Sequence, residues 1–137
     1  MNVVVMDAQG GGMGRMLVEA LKREMPEQPV IAVGTNALAT SAMLRAGADQ
    51  GATGENAIRV CAKKADLILG PIGMVLCDAM LGEVTAGMAC AVASSPAHKI
   101  LLPVSRCQVT VAGLRKQTLT EAVEAAVQEA VSRIRQE

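Results

Sequence analysis

Four glycines fall within the five residues Gly10-Gly11-Gly12-Met13-Gly14, shortly after the apolar run Val3-Val4-Val5-Met6 and Asp7, with Ala8-Gln9 between. A stretch without Cβ atoms lets backbone N–H groups close on an anionic oxygen, and a helix starting there adds its positive end. Arg15 falls in the first turn of that helix, where its guanidinium can pair with a second anionic oxygen. Gln9 and Met13 flank the same turn. Asp7 adds a carboxylate at the strand end, suited to a hydroxyl pair, to Mg²⁺ beside a phosphate, or to bracing the loop. The alternative for the whole cluster is a tight strand-to-helix turn packed on the sheet with nothing bound.

The cluster fits no nucleotide motif fully. G-x-G-x-x-G begins at Gly10 and Gly12, but Arg15 takes the third place; begun at Gly12 and Gly14, it meets Leu17 there. The acidic residue expected after the second strand for a ribose diol is absent, with Gly34-Thr35-Asn36 standing there instead. NADP tolerates that loss better than NAD, although no arginine is adjacent. Gly11 to Met16 has the rhythm of a P-loop, yet arginine replaces the lysine and Met16 the Mg²⁺-binding hydroxyl, which disfavours nucleotide hydrolysis by that route.

The elements that must hold these residues alternate. Short apolar runs at Val3–Met6, Val30–Val33, Leu67–Leu69 and Ile100–Leu102 read as strands covered on both faces, with a weaker one at Ala48–Thr53. Helical spacing runs through Arg15–Met25, from Asn36 or Thr40 to Gly47, through Glu55–Lys64, and through two pieces, Pro71–Met80 and Thr85–Ser94. Thr118 and Glu121 form a T-x-x-E capping box ahead of a final amphipathic helix. The pattern predicts one Rossmann-like domain over residues 1–137: α/β, three layers α/β/α, with a mainly parallel sheet of five or six strands. Val109-Thr110-Val111 follows the fifth strand too closely for a helical crossover and reads as an antiparallel edge strand.

Ligands of open α/β sheets lie beyond the carboxyl ends of the strands. That edge gathers Thr35 and Asn36, then Glu55 and Asn56, then Gly70-Pro71-Ile72-Gly73, then Pro103, Ser105 and Arg106. Asn36 and Asn56 stand where helices begin, so each caps a helix or orients a ligand. Residues 34–38 (Gly-Thr-Asn-Ala-Leu) echo residues 54–58 (Gly-Glu-Asn-Ala-Ile). Glu55 is a general-base candidate or a partner of the helix dipole. His98 precedes the fifth strand and so lies at the opposite edge. Cys61, Cys77, Cys90 and Cys107 lack the paired spacing of a zinc site and read as small buried free thiols, with no metal expected.

Composition narrows the classes. The 137 residues carry 13 Lys plus Arg against 13 Asp plus Glu, without the basic surplus a nucleic-acid coat protein needs. There is no Phe, Tyr or Trp, so bases have no ring to stack on, and nine Met must help fill an aromatic-free core. No apolar run is long enough to span a bilayer and no signal peptide is recognisable, which gives a cytoplasmic, membrane-free expectation. The stretch Ala65–Ala97 holds no Lys or Arg, and with 51% hydrophobic residues it predicts a homo-oligomer, most simply a dimer.

Four runs resemble a family known as domain of unknown function 3842: Asp7–Gly14, Gly34–Met43, Gly51–Ile58 and Gly70–Gly73. The resemblance covers nearly the whole chain and implies a small bacterial single-domain protein with no assigned activity. Function therefore rests on the loops. They predict binding of a nucleotide or other phosphorylated small molecule at the strand carboxyl-end edge, in a regulatory role. The alternatives are a small NADP- or nucleotide-dependent enzyme using the same pocket, with Asp7 or Glu55 as acid–base, and a ligand-free structural subunit.

Overall fold

The structure, a computed structural model, describes residues 1–103 and 108–137. Five strands, β1 (Val3–Asp7), β2 (Val30–Gly34), β3 (Gln50–Thr53), β4 (Leu67–Pro71) and β5 (His98–Leu102), form one sheet in the order β3-β2-β1-β4-β5. Every pairing is parallel. Helices α1 (Gly12–Glu24), α2 (Ala37–Arg45), α3 (Glu55–Lys64), α4 (Ala86–Ala93) and α5 (Leu119–Arg135) make the connections and the closing layer.

Side chains alternate across a strand, and β1 is apolar on both faces. Val3 and Val5 pack with Leu17, Val18 and Leu21 of α1 and with Val123, Val127 and Val131 of α5. Val4 and Met6 pack with Ile58 and Ala62 of α3 and with Met88 and Val92 of α4. Each fully buried Val, Leu, Ile or Met among these contributes about 1.5–3 kcal/mol. Without rings, the large volumes are filled by Leu, Ile and Met, with Met6, Met43 and Met74 completely enclosed.

Two expected elements differ. Val109–Val111 forms no strand; it is exposed, and among the described residues the sheet ends at β5, which pairs parallel with β4. Its β-branched residues are exposed and pair with no strand, and β-propensity is decided by neighbours. The stretch Pro71–Met80 is not an α-helix. It makes a short 3-10 turn, Ile72–Val75, and then a series of turns in which Asp78, Met80 and Leu81 take positive φ of 64°, 58° and 60°. His98 is the first residue of β5, at the amino edge. Among the described residues, no helix is long and apolar enough to cross a membrane.

Candidate functional site

β1 and β4 are neighbours whose connections leave in opposite directions, to β2 and to β5, and such a switch point opens a crevice at the strand carboxyl ends. A cleft of about 650 Å³ lies there. One wall is the glycine loop with Asp7, Gln9, Met13, Arg15 and Met16. Pro71, Met80 and Pro103 lie between, and Gln117, Thr118, Leu119 and Ala122, at the start of α5, form the far wall. Two helices thus begin at the cleft. α5 carries the expected capping box: Glu121 N–H donates to Thr118 Oγ1 at 3.1 Å, and Thr118 N–H to Glu121 Oε1 at 3.0 Å. Composition alone does not bring residues 117–122 against the loop; the return of α5 across the sheet does.

The loop is closed by Gly11 N–H donating to Ala8 O at 3.0 Å. Asp7 braces it from beneath. Its carboxylate accepts from Ala8 N–H at 2.8 Å and from Gly14 N–H at 2.7 Å, and the residue is only 4% exposed. Burial raises the Asp7 pKa, the two N–H donors pull it back in part, and the nearby Glu83 charge adds to the rise. The N–H groups of Gly10, Gly12 and Met13 meet no acceptor among the described residues. Helix starts leave such donors orphaned unless a cap or ligand takes them, and Gly11, the residue before α1, has no side chain to cap with.

The four glycines divide into two kinds. Gly11 has φ 75°, and a Cβ there would stand 2.8 Å from Ala39 Cα. A Cβ on Gly14 would meet Met43 Sδ at 2.5 Å and Asp7 Cβ at 2.9 Å. Packing explains both. At Gly10 and Gly12 an added Cβ would meet nothing within 4 Å, so the fold leaves the missing side chains there unexplained. Arg15 is exposed, and among the described residues its side chain bonds only Glu19, at 3.1 Å one turn along.

Thr35 and Asn36 stand beside the loop, gathered around a residue not singled out in the sequence, Glu83. Its Oε1 accepts from Gln9 N–H at 2.6 Å, Thr35 O–H at 2.5 Å and Asn36 Nδ2 at 2.6 Å. Partial burial opposes the Glu83 charge, but the bonds from Thr35, Gln9 and Asn36 outweigh it and hold the pKa below the usual range. Only the turns of residues 76–84 bring Glu83 to this edge, and a glutamate between Gly82 and Val84 carries no local signal of it. Asn36 also caps α2, accepting from Ala39 N–H at 2.9 Å.

The remaining candidates lie elsewhere. Glu55 bonds Thr85 O–H and, at 2.9 Å, Arg59, which stitches α3 to α4. Those bonds, Thr85 first, lower its pKa against slight desolvation, so it makes a poor base. Asn56 caps nothing: α3 begins one residue earlier, at Glu55, with Gly54 as its cap residue, and Asn56 is exposed. Gly70 is buried inside β4, where a Cβ would sit 2.5 Å from Met6 O, and Gly73 is buried in the 3-10 turn. Neither lines the cleft.

The cysteines are less enclosed than expected, Cys77 and Cys90 being exposed and Cys61 half-buried. Exposed turn and helix positions set this, not the small size of the side chain. Desolvation raises the Cys61 and Cys77 pKa values, so neither is an activated thiol. Ser105, Arg106 and Cys107 lie outside the described residues. Among the described residues, no group of three His, Cys, Asp or Glu is arranged to hold a metal ion.

The family described as "Domain of unknown function (DUF3842)" matches residues 2–135. The chain belongs to this family. No curated protein matches it. Among solved structures, a dodecameric FMN-dependent UbiX-like decarboxylase from Escherichia coli O157:H7 is similar, with a TM-score of 0.51 and 16% identity over 96% of this chain and 94% of that one. At that identity the likeness is one of fold: a parallel α/β sheet with helices on both faces.

Proposed function

We propose that the family member described here binds a nucleotide or other phosphorylated small molecule in the cleft between the glycine loop and the start of α5, in a regulatory role. One observation carries the reading: the open Cβ positions at Gly10 and Gly12 coincide with the N–H groups of Gly10, Gly12 and Met13 that have no acceptor among the described residues. A packing turn needs Gly11 and Gly14 but not the other two. The volume suits a small-molecule ligand. FMN, on which the structural neighbour depends, and NADP are both candidates. An enzymatic variant would use Asp7 as acid–base, but two N–H donors already occupy its carboxylate oxygens, which favours bracing.

The test is calorimetry with inorganic phosphate, AMP, FMN and NADP on the parent, Arg15→Ala and Gly12→Val. For the probe that binds, Arg15→Ala weakens affinity by about 1–3 kcal/mol, the usual loss of a charged hydrogen bond. Gly12→Val weakens it more, by blocking approach to the N–H groups, while Arg135→Ala, at the far end of α5, changes nothing. Two folded loop variants binding as well as the parent would reduce the cluster to a packing turn.

We also propose a homo-oligomer, a dimer at least. Leu81, Val109, Val111 and Leu114 are exposed apolar residues, and the structural neighbour is a dodecamer. Sedimentation showing a monomer at micromolar concentration, unchanged on dilution, would overturn this.

A further inference from the structure

The strand-2 end lacks an acidic residue of its own, yet a carboxylate stands there. Glu83, delivered by the turns after β4, lies against Thr35 and Asn36 at the carboxyl end of β2 and against Gln9 at the end of β1. All three donors converge on one oxygen, Oε1. The other oxygen, Oε2, has no partner among the described residues, and the residue is only partly buried. Gln9 joins this carboxylate to the cleft: its N–H holds Glu83, and the residue itself lines the cavity together with Met80, three positions before Glu83. In dinucleotide-binding sheets, a phosphate on the glycine turn and a carboxylate at the second strand's end together hold a ribose through its hydroxyls.

We propose that Glu83 accepts the 2′- and 3′-hydroxyls of a ribose through Oε2, so that the ligand of the cleft is a ribonucleotide with a diphosphate on the glycine loop. The inference rests on the phosphate-binding reading of the cleft. It assigns to a residue from the opposite half of the sheet the role that chain order would give to position 35 or 36. The three donors on Oε1 then have a purpose beyond pinning the turn: they fix the carboxylate in place before the sugar arrives, which reduces the ordering cost of binding.

Calorimetry with three probes decides it: ADP, 2′,3′-dideoxy-ADP and inorganic pyrophosphate. The parent is expected to bind ADP at least about tenfold more tightly than the dideoxy analogue, the scale of a hydrogen bond to a charged group. Glu83→Gln keeps an oxygen for the three donors, so the turn holds. The variant is expected to narrow the preference to within about threefold and to leave pyrophosphate affinity unchanged. Equal binding of the two nucleotides by the parent needs no variant and overturns the proposal, as does an unchanged preference in folded Glu83→Gln. Pyrophosphate binding without either nucleotide overturns this proposal alone and leaves the phosphate-binding reading standing. Failure of all three probes overturns the ribose assignment and leaves the wider reading to the phosphate, FMN and NADP arms above.

Discussion

The starts of α1 and α3 are built from similar parts and end differently. Both follow strands at the same sheet edge, and both have a glycine of positive φ as cap residue, Gly11 at 75° and Gly54 at 102°, with no side-chain cap. Each also has an acidic residue close by. At α3, Glu55 lies in the first turn and is engaged by Thr85 and Arg59, so the junction is tied to the neighbouring helix. At α1, Asp7 lies below the loop and takes Gly14 N–H, while Gly10, Gly12 and Met13, whose N–H groups have no acceptor among the described residues, line a cleft. Polar groups at a strand end become a site only where the fold has not already used them.

The largest expected effect separates the two kinds of glycine. Gly11→Ala drives a Cβ against the Ala39 backbone at positive φ and should cost about 2–4 kcal/mol in urea denaturation. Gly54→Ala meets no atom and carries only the backbone strain, about 1–3 kcal/mol. Gly12→Ala should leave stability within about 1 kcal/mol, since the site is open and helical. Equal losses at Gly11 and Gly12 would erase the distinction.

Next in size is Asn36→Ala, which removes the cap of α2 and one donor to Glu83; a loss of about 1–2 kcal/mol is expected. Asn56→Ala, at the echoing position, should fall within about 0.5 kcal/mol, because an exposed side chain that caps nothing has little to lose. The pair tests whether the echo has structural meaning.

A smaller effect is read against pH. The Glu83 pKa is held down in the folded state, so its contribution is present above the unfolded glutamate value, about 4.3, and is lost as pH falls through the lower folded value. Asp7 is raised and works in the opposite sense: its contribution is full below the ordinary aspartate value, about 3.9, and is lost as pH rises through the raised folded value. Thermal melts of Glu83→Gln should therefore lose less stability than the parent between about pH 5 and 3. An acid limb identical in the two proteins would show that Glu83 is not held as described.

Much of this was legible in the residues. Apolar runs such as Val3–Met6 and Leu67–Leu69 marked the buried parallel strands because a strand covered on both faces has no polar side to show. The Thr118–Glu121 capping box marked the start of α5 because it is a local hydrogen-bond pattern. Gly10 to Met13 and Arg15 marked one wall of the cleft, with Gly14 buried behind it. The other wall and Glu83 were not legible, because each depends on distant segments meeting at the switch point. Asn36 and Asn56 looked alike because the echo runs through sequence, while the helix starts differ by two residues relative to it. Gly70 and Gly73 were drawn into the site by residue type, when close approach to Met6 and burial in a 3-10 turn account for where they lie.

The most direct measurement is native mass spectrometry of freshly purified parent and Gly12→Val proteins, both checked for folding. The parent is expected to carry added mass from a phosphorylated small molecule, and Gly12→Val to have lost it. The same added mass on both proteins, or a retained molecule without phosphate, would contradict it.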